Sequence, residues 1–410
     1  MPPTPEESTT EYTRVDAAGT RRPPRRVALI VAVSCMALAA VSIGLTNASG
    51  LSAIPLLGLK KSEAIPHTGE FCTGSGAKTY TKTTLKRVAD RTVTGLLEWS
   101  AHEPKFEASD VIKVGEKFLV VCDSSWDILS IDERLPLLSP KNEVLKPDAS
   151  FSPAGGFEED SGFEVLIHDA SAPGDFYVMR ESIQNSDSAK YNAHVLKVRL
   201  TDSGYTVDET CESEMEFEGD SKGFEGGVSL RGKDGVLYLL GLCEGNHCSE
   251  SKGKEVGNGR IVVMARQDVE TSVAADGCLW KTVKVLELPK EAEFVDYSAI
   301  AIHHSTKSVA VTSQENSQLW IGTLETGSNG EFEPDKAVFG EGKVYDFPRS
   351  GDSCEAIYCN VEGIHWISEG AKGSEAPGTL VAVSDKMKSK GRQAAVCHDK
   401  DQSVHLFALP

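Results

Sequence analysis

The hydrophobic pattern of the chain changes character twice. From Val27 to Leu59 no residue is charged, and the most apolar part, Val27–Leu45 (VALIVAVSCMALAAVSIGL), is 19 residues long. At the helical rise per residue, that length crosses the hydrocarbon core of a bilayer. A transmembrane signal-anchor helix is therefore predicted over residues 27–46. Beyond residue 106 the pattern becomes short apolar, β-rich runs separated by Gly, Asp, Asn and Ser clusters. Such runs read as strands, and no convincing amphipathic helix interrupts them.

The strands fall into a repeating unit. A short polar-led strand comes first, then an apolar strand ending in an acid, then one or two outer strands. The third unit reads FEGGVSLRG, VLYLLGLCEGN, GRIVVMAR, KTVKVLELP; the fourth opens DYSAIAIHH and the fifth VEGIHWIS. Aligning the first strands puts Ser109, Glu164, Glu225, Ser298 and Glu362 in register, at spacings of 55, 61, 73 and 64 residues. Repeats of this length signal a solenoid or a propeller, and a propeller leaves few exposed strand edges. The fifth unit ends with the chain and lacks its outermost strand. RTVTGLLEWS (91–100) is a strand without a unit of its own and can supply it. The expected fold is all-β, a five-bladed β-propeller closed by an N-terminal strand. The expected organisation is a cytosolic tail (1–26), the membrane helix (27–46), a luminal stem (47–90) and the propeller (91–410).

Charge sets orientation and excludes a class of partner. Arg14, Arg21, Arg22, Arg25 and Arg26 precede the apolar run, and the first cations after it are Lys60 and Lys61. The positive-inside bias makes this a single-pass type II membrane protein of the secretory pathway, in the Golgi, the ER or at the cell surface. A cleaved signal peptide is the rival reading, but a 26-residue n-region is long for one. The chain has 410 residues with 61 Asp and Glu against 42 Lys and Arg, a formal charge of −19. No nucleic acid is expected as a partner, because that needs a basic face. Nine of the ten cysteines lie beyond the membrane segment. Their odd number leaves at least one thiol unpaired within the chain, and Cys243/Cys248 and Cys354/Cys359 could each close a short loop.

The first strand of each propeller blade lines the central channel. The in-register residues Ser109, Glu164, Glu225, Ser298 and Glu362 would therefore meet near the axis. Three converging carboxylates repel one another and their pKa values rise unless something neutralises them. Ca²⁺ is suited to this, being a hard cation that takes six to eight oxygens. A water-filled channel with polar walls is the other possibility.

At these residues the chain resembles the calcium-activated nucleotidase (apyrase) family. FEASDVIKVGEKFLVVCDSSWDILSID (106–132) carries that family's E-x-S-D strand followed by a strand ending in Asp, and NVEGIHWI (360–367) resembles its Y-E-G-I segment. The resemblance implies a five-bladed propeller with one axial Ca²⁺ held by the Ser, Glu, Glu, Ser, Glu ring. It also directs attention to the mouth of the channel, where the second strands end in Asp123, Arg180-Glu181, Glu244, Glu315 and Asp385. Of these, Asp123, Arg180-Glu181 and Glu315 match the family pattern. The family's phosphate-binding arginine pair falls on GLCEGN (241–246), which contains no arginine. Losing a bidentate phosphate fork is not conservative.

Two functions follow. One is a Ca²⁺-dependent hydrolase of nucleotides or other phosphate esters, with Asp123 or Asp385 as general base, Arg180 as a phosphate contact, and Glu181, Glu244 and Glu315 completing the acidic mouth. The other is a non-catalytic propeller that binds a glycan or protein partner through a calcium-bridged acidic face. His303 and His304 are expected inside a strand, with rings on opposite faces that cannot chelate together.

Overall fold

Residues 83–97, 106–153, 156–157, 160–184, 190–217, 219, 222–244, 257, 259–268, 277–327, 331–350, 355–368, 378–386 and 395–410 are described by the computed structural model of the chain. The expected tail, membrane helix and most of the stem lie outside the described residues. Among the described residues no helix is long and apolar enough to cross a membrane.

The strands form antiparallel groups in chain order. The first is β2 (Ala108–Val114), β3 (Lys117–Cys122), β4 (Ser125–Asp132) and β5 (Glu143–Pro147). The second is β6 (Phe163–His168), β7 (Phe176–Gln184), β8 (Tyr191–Leu200) and β9 (Gly204–Phe217). The third is β10 (Phe224–Arg231), β11 (Leu237–Cys243), β12 (Arg260–Asp268) and β13 (Cys278–Glu287). The fourth is β14 (Ala299–Ile302), β15 (Ser308–Ser313) and β16 (Gln318–Glu325), with β17 (Val338–Phe339) and β18 (Lys343–Asp346) both pairing with β16. The last is β19 (Val361–Ser368), β20 (Thr379–Ser384) and β21 (Ser403–Ala408), completed by β1 (Lys86–Thr92) from the other end of the chain. The first strands pack in a cycle: β2 on β6, β6 on β10, β10 on β14, β14 on β19, and β19 back on β2. This all-β arrangement is consistent with a β-propeller.

The core lies between neighbouring groups. Val111, Phe118, Val381 and Val404 join the first group to the last, and Ile128, Phe163, Val178 and Tyr205 join the first to the second. Trp280 anchors the layer between the second and third groups, and Trp320 that between the third and fourth. Alternation along each strand therefore buries both faces, one against each neighbour. The outer strands are also stitched together by short parallel pairs between β5 and β9 and between β9 and β13, with the Cys211–Cys278 disulfide on the second of these.

Two sequence expectations shift. The closing strand is Lys86–Thr92, mostly upstream of 91–100, and the chain then turns into a short helix, α1 (Val93–Leu96). Thr92 causes this turn, because its Oγ1 accepts the Gly95 N–H at 3.1 Å as a helix N-cap. Cys359 pairs with Cys397, not Cys354, and Cys122 is a buried free thiol. The 3₁₀ segment Ala395–Lys400 carries Cys397 back to the start of β19, a contact that sequence spacing does not reveal.

Closure of the ring is polar. Asp90 on β1 accepts from His405 Nδ1 at 2.9 Å, Lys400 Nζ at 2.8 Å and the Tyr358 hydroxyl at 3.1 Å. His405 Nε2 meets Ser384 Oγ at 2.9 Å. Burial alone would raise the Asp90 carboxyl, but the hydrogen bonds from His405 and Lys400 outweigh it and hold the group far below the usual carboxylate range. The order Asp90–His405–Ser384 is that of a hydrolase triad. However, His405 is 0% and Ser384 1% exposed, so the network is closed to substrate and acts as a structural clasp.

The inner strands β2, β6 and β19 carry Lys113, His168 and His365. His303 and His304 follow β14 in a turn and are not inside the strand as expected. Burial holds His365 down at about 3, with His304, His168, His303 and Lys113 adding to the effect. A histidine kept neutral in the fold but protonated when unfolded weakens stability as pH falls from its unfolded value near 6.5 toward 3. Urea denaturation at pH 6.5 and 4.5 therefore shows a larger loss for the native chain than for His365→Gln. Equal losses would remove His365 as a source of acid sensitivity.

Candidate metal centre

The register found in the sequence has a backbone cause. Four of the five aligned residues sit where strand pairing slips. The pairing jumps from Ala108 to Asp110, from Phe163 to Val165, from Phe224 to Gly226 and from Val361 to Gly363. Ser109, Glu164, Glu225 and Glu362 are therefore each the extra residue of a β-bulge, which bends the strand and re-aims a side chain. Ser298 holds the same position just before β14, its N–H donating to Thr312 O at 3.0 Å. The strands also approach main chain to main chain. A Cβ on Gly363 would lie 2.6 Å from Asp110 Cα, and one on Gly226 2.7 Å from Ile300 N. Only glycine permits this spacing. Asp110 straps β2 to β6 by accepting the Val111 and Leu166 N–H groups at 2.7 and 2.9 Å.

The bulge brings part of the axial set together with part of the mouth. Asp123, Glu164 and Glu181 each offer a carboxylate oxygen within 4.8 Å of the others. Glu164 is 7% exposed, and burial pushes its carboxyl well above the usual range. The charges of Glu225, Asp123, Glu181 and Glu362 push it further. Rigid main-chain contacts hold the group. Gly162 N–H and Ser161 Oγ donate to Asp123 O, each at 2.8 Å, while Glu181 N–H donates to Gly162 O at 2.7 Å. Gly162 takes φ +63° to make this turn. The donor set is all oxygen and anionic and suits a hard cation.

The remaining residues differ in what they touch. Ser109 Oγ accepts Asp123 N–H at 3.1 Å and donates to Glu107 O at 3.3 Å, so it supports Asp123. Ser298 Oγ donates to Val361 O at 2.8 Å and ties β14 to β19. Asp385, 7% exposed, holds the register position of Asp123 and Glu181, and its N–H donates to Asn360 O at 2.9 Å. Glu244 shares that position in the third group but is ion-paired with Lys222 at 2.8 Å. Glu315 is exposed and lies one residue past the equivalent position, which Gln314 fills. Arg180 Nε donates to Ser161 O at 2.7 Å, and its guanidinium lies 4.6 Å from the centre of the Trp126 ring.

The acid of the fourth group is Asp296, which the sequence reading passed over. In the other groups a backbone carbonyl two residues before the aligned position (Glu107, Gly162, Gly223, Asn360) accepts the N–H of the mouth residue. Here the Asp296 carboxylate accepts from Glu315 N–H instead, and Ser313 Oγ also donates to it. Burial lifts Asp296 to about 7, with the charge of Glu315 adding. The signal was present as an acid two residues before the aligned serine, Glu107-x-Ser109 and Asp296-x-Ser298.

No protein-family model matches the chain, and no curated protein matches it. Among solved structures, a glucose dehydrogenase is 10% identical with a TM-score of 0.36, covering 78% of this chain and 99% of its own. A virginiamycin B lyase from Staphylococcus aureus is 10% identical with a TM-score of 0.32, covering 78% and 99%. A calcium-binding protein, regucalcin, from Agrobacterium tumefaciens is 8% identical with a TM-score of 0.30, covering 75% and 77%.

Proposed function

We propose that the chain is a five-bladed β-propeller that holds Ca²⁺ at Asp123, Glu164 and Glu181 and hydrolyses nucleotides or related phosphate esters, in the manner of the calcium-activated nucleotidases it resembles. The cyclic packing of β2, β6, β10, β14 and β19 supports the blade count. The observation that carries the chemistry is the convergence of three carboxylates around a buried glutamate whose proton affinity is raised by its acidic neighbours. A bound divalent cation would neutralise phosphate charge and polarise an attacking water. Glu225 and Glu362 lie within electrostatic reach of Glu164 and add negative charge to the cation site. Asp385 takes the proton of the attacking water as its oxygen bonds to phosphorus and the bridging P–O bond breaks. Arg180, half-buried and fixed by Ser161 and Trp126, supplies positive charge on the flank of the acids.

Residues 27–46 anchor this propeller to a bilayer as a type II protein in the secretory pathway. The arginines before the apolar run support the orientation, and the Cys211–Cys278 and Cys359–Cys397 disulfides support an oxidising compartment. The pairing of Glu244 with Lys222, where the related family carries arginines, favours a second reading, a non-catalytic propeller with a calcium-bridged acidic face that binds a glycan or protein.

A phosphate-release assay over nucleoside di- and triphosphates separates the two. Hydrolysis is expected with Ca²⁺, falling to background on chelation and dropping at least about 100-fold in Glu164→Gln. Background release for every nucleotide by folded protein would leave the binding reading.

A further inference from the structure

We propose that Phe157 is a stacking platform for the base of a bound nucleotide, so that the site takes nucleotides and discriminates against inorganic polyphosphate and ring-free phosphate esters. This rests on the phosphate-hydrolase reading above and names its substrate class.

The argument starts from an anomaly of exposure. Phe157 is 50% exposed although it belongs to an aromatic cluster whose other members turn inward. Its ring stands edge-on to Trp126 at 5.9 Å and 86°, and to Phe151 at 6.1 Å and 68°. Trp126 in turn meets Phe163 at 5.3 Å, and both are buried. Edge-to-face neighbours fix a ring in orientation without covering it. Trp126 also carries the Arg180 guanidinium on its face at 4.6 Å and is held from behind by the Tyr205 hydroxyl, which donates to Trp126 O at 2.5 Å.

The sequence ties this cluster to the acids. Trp126 lies three residues after Asp123, and Arg180 directly precedes Glu181. Ser161 and Gly162, four and five residues after Phe157 in the sequence, both donate to the Asp123 carbonyl. Contacts therefore run from Arg180, next in sequence to Glu181, to the buried indole of Trp126 and from there to the exposed phenyl of Phe157. That order matches a nucleotide, with phosphates on the cation and Arg180 and a flat apolar ring further out. Every nucleobase offers a π-face, so a phenyl platform accepts purines and pyrimidines alike.

The test measures binding of ADP, ribose 5-phosphate and inorganic pyrophosphate to the detergent-solubilised full chain in Ca²⁺. The native chain is expected to bind ADP about 5- to 150-fold more tightly than pyrophosphate, the range of one stacked base. Phe157→Ala abolishes that difference by weakening ADP alone, and Phe157→Trp retains it. Because Phe157 is exposed, the alanine variant keeps its melting temperature, which excludes unfolding as the cause. Tight ADP binding that survives Phe157→Ala would overturn the platform, as would pyrophosphate binding equal to ADP in the native chain. Failure of the native chain to bind any of the three would overturn the phosphate-site reading beneath it, a result distinct from both.

Discussion

Millimolar Ca²⁺ added to chelator-treated protein raises its melting temperature by about 5 °C, the shift expected when a ligand at roughly 100 times its Kd binds only the folded state of a domain this size. Glu164→Gln removes most of that shift and, in the metal-free protein, raises the starting melting temperature. Both effects have one cause. Without a cation, Glu164 is a buried carboxylate facing Glu225, Asp123, Glu181 and Glu362. Its charge is a cost to the fold that either a cation or a neutral amide relieves. A structural role for Glu164 alone predicts the opposite sign in the metal-free comparison, because amide substitution would then only lose contacts. The same melting temperature with and without Ca²⁺ would remove the metal centre, and a glutamine variant that is less stable without metal would remove the strain argument.

Asp90→Ala destabilises the protein by about 3–5 kcal/mol, the usual effect of deleting one partner of a buried charged network. His405, Lys400 and Tyr358 all lose their acceptor at once. Asp90→Asn keeps the shape and one acceptor oxygen, so it costs less. The acid dependence has a definite sign. The Asp90 carboxyl is depressed in the fold, so its contribution is complete above about pH 4, its unfolded range, and fades as pH falls below that. The gap between native chain and Asp90→Ala therefore narrows in strong acid. Asp90 and His405 are 315 residues apart, so their contact forms only once the ring has closed. The substitution is accordingly expected to speed unfolding more than it slows folding. Chemical denaturation and unfolding kinetics at pH 7 and pH 3 measure both effects. A change below 1 kcal/mol at pH 7 would mean that backbone pairing of β1 with β21 closes the ring unaided.

Much of the acidic site was legible because its key residues share a position in a repeated local pattern. Glu225-Gly226 and Glu362-Gly363 pair a side chain aimed by a bulge with a glycine needed for close strand approach. Spacing could recover that pairing. Spacing could not show that Ser109 and Ser298 spend their hydroxyls on main-chain partners, or that Lys222 neutralises Glu244. The placement of Glu315 failed for a simpler reason. Gln314 and Glu315 both lie in the turn after β15, where strand alternation sets no register, and the exposed Glu315 was read in place of Gln314 while Asp296 supplied the acid.

The amino-acid sequence alone determined the first three strands of each group and the alignment of Ser109, Glu164, Glu225, Ser298 and Glu362, because alternation and turn chemistry act over a few neighbouring residues. Three-dimensional closure alone decided that Asp123, Glu164 and Glu181 form the tight carboxylate group, that Cys359 finds Cys397, that β1 is the closing strand, and that Phe157 stands edge-on to Trp126. These outcomes depend on contacts between residues distant in the chain, where the approach of two strands sets the distance between side chains and no local preference specifies it.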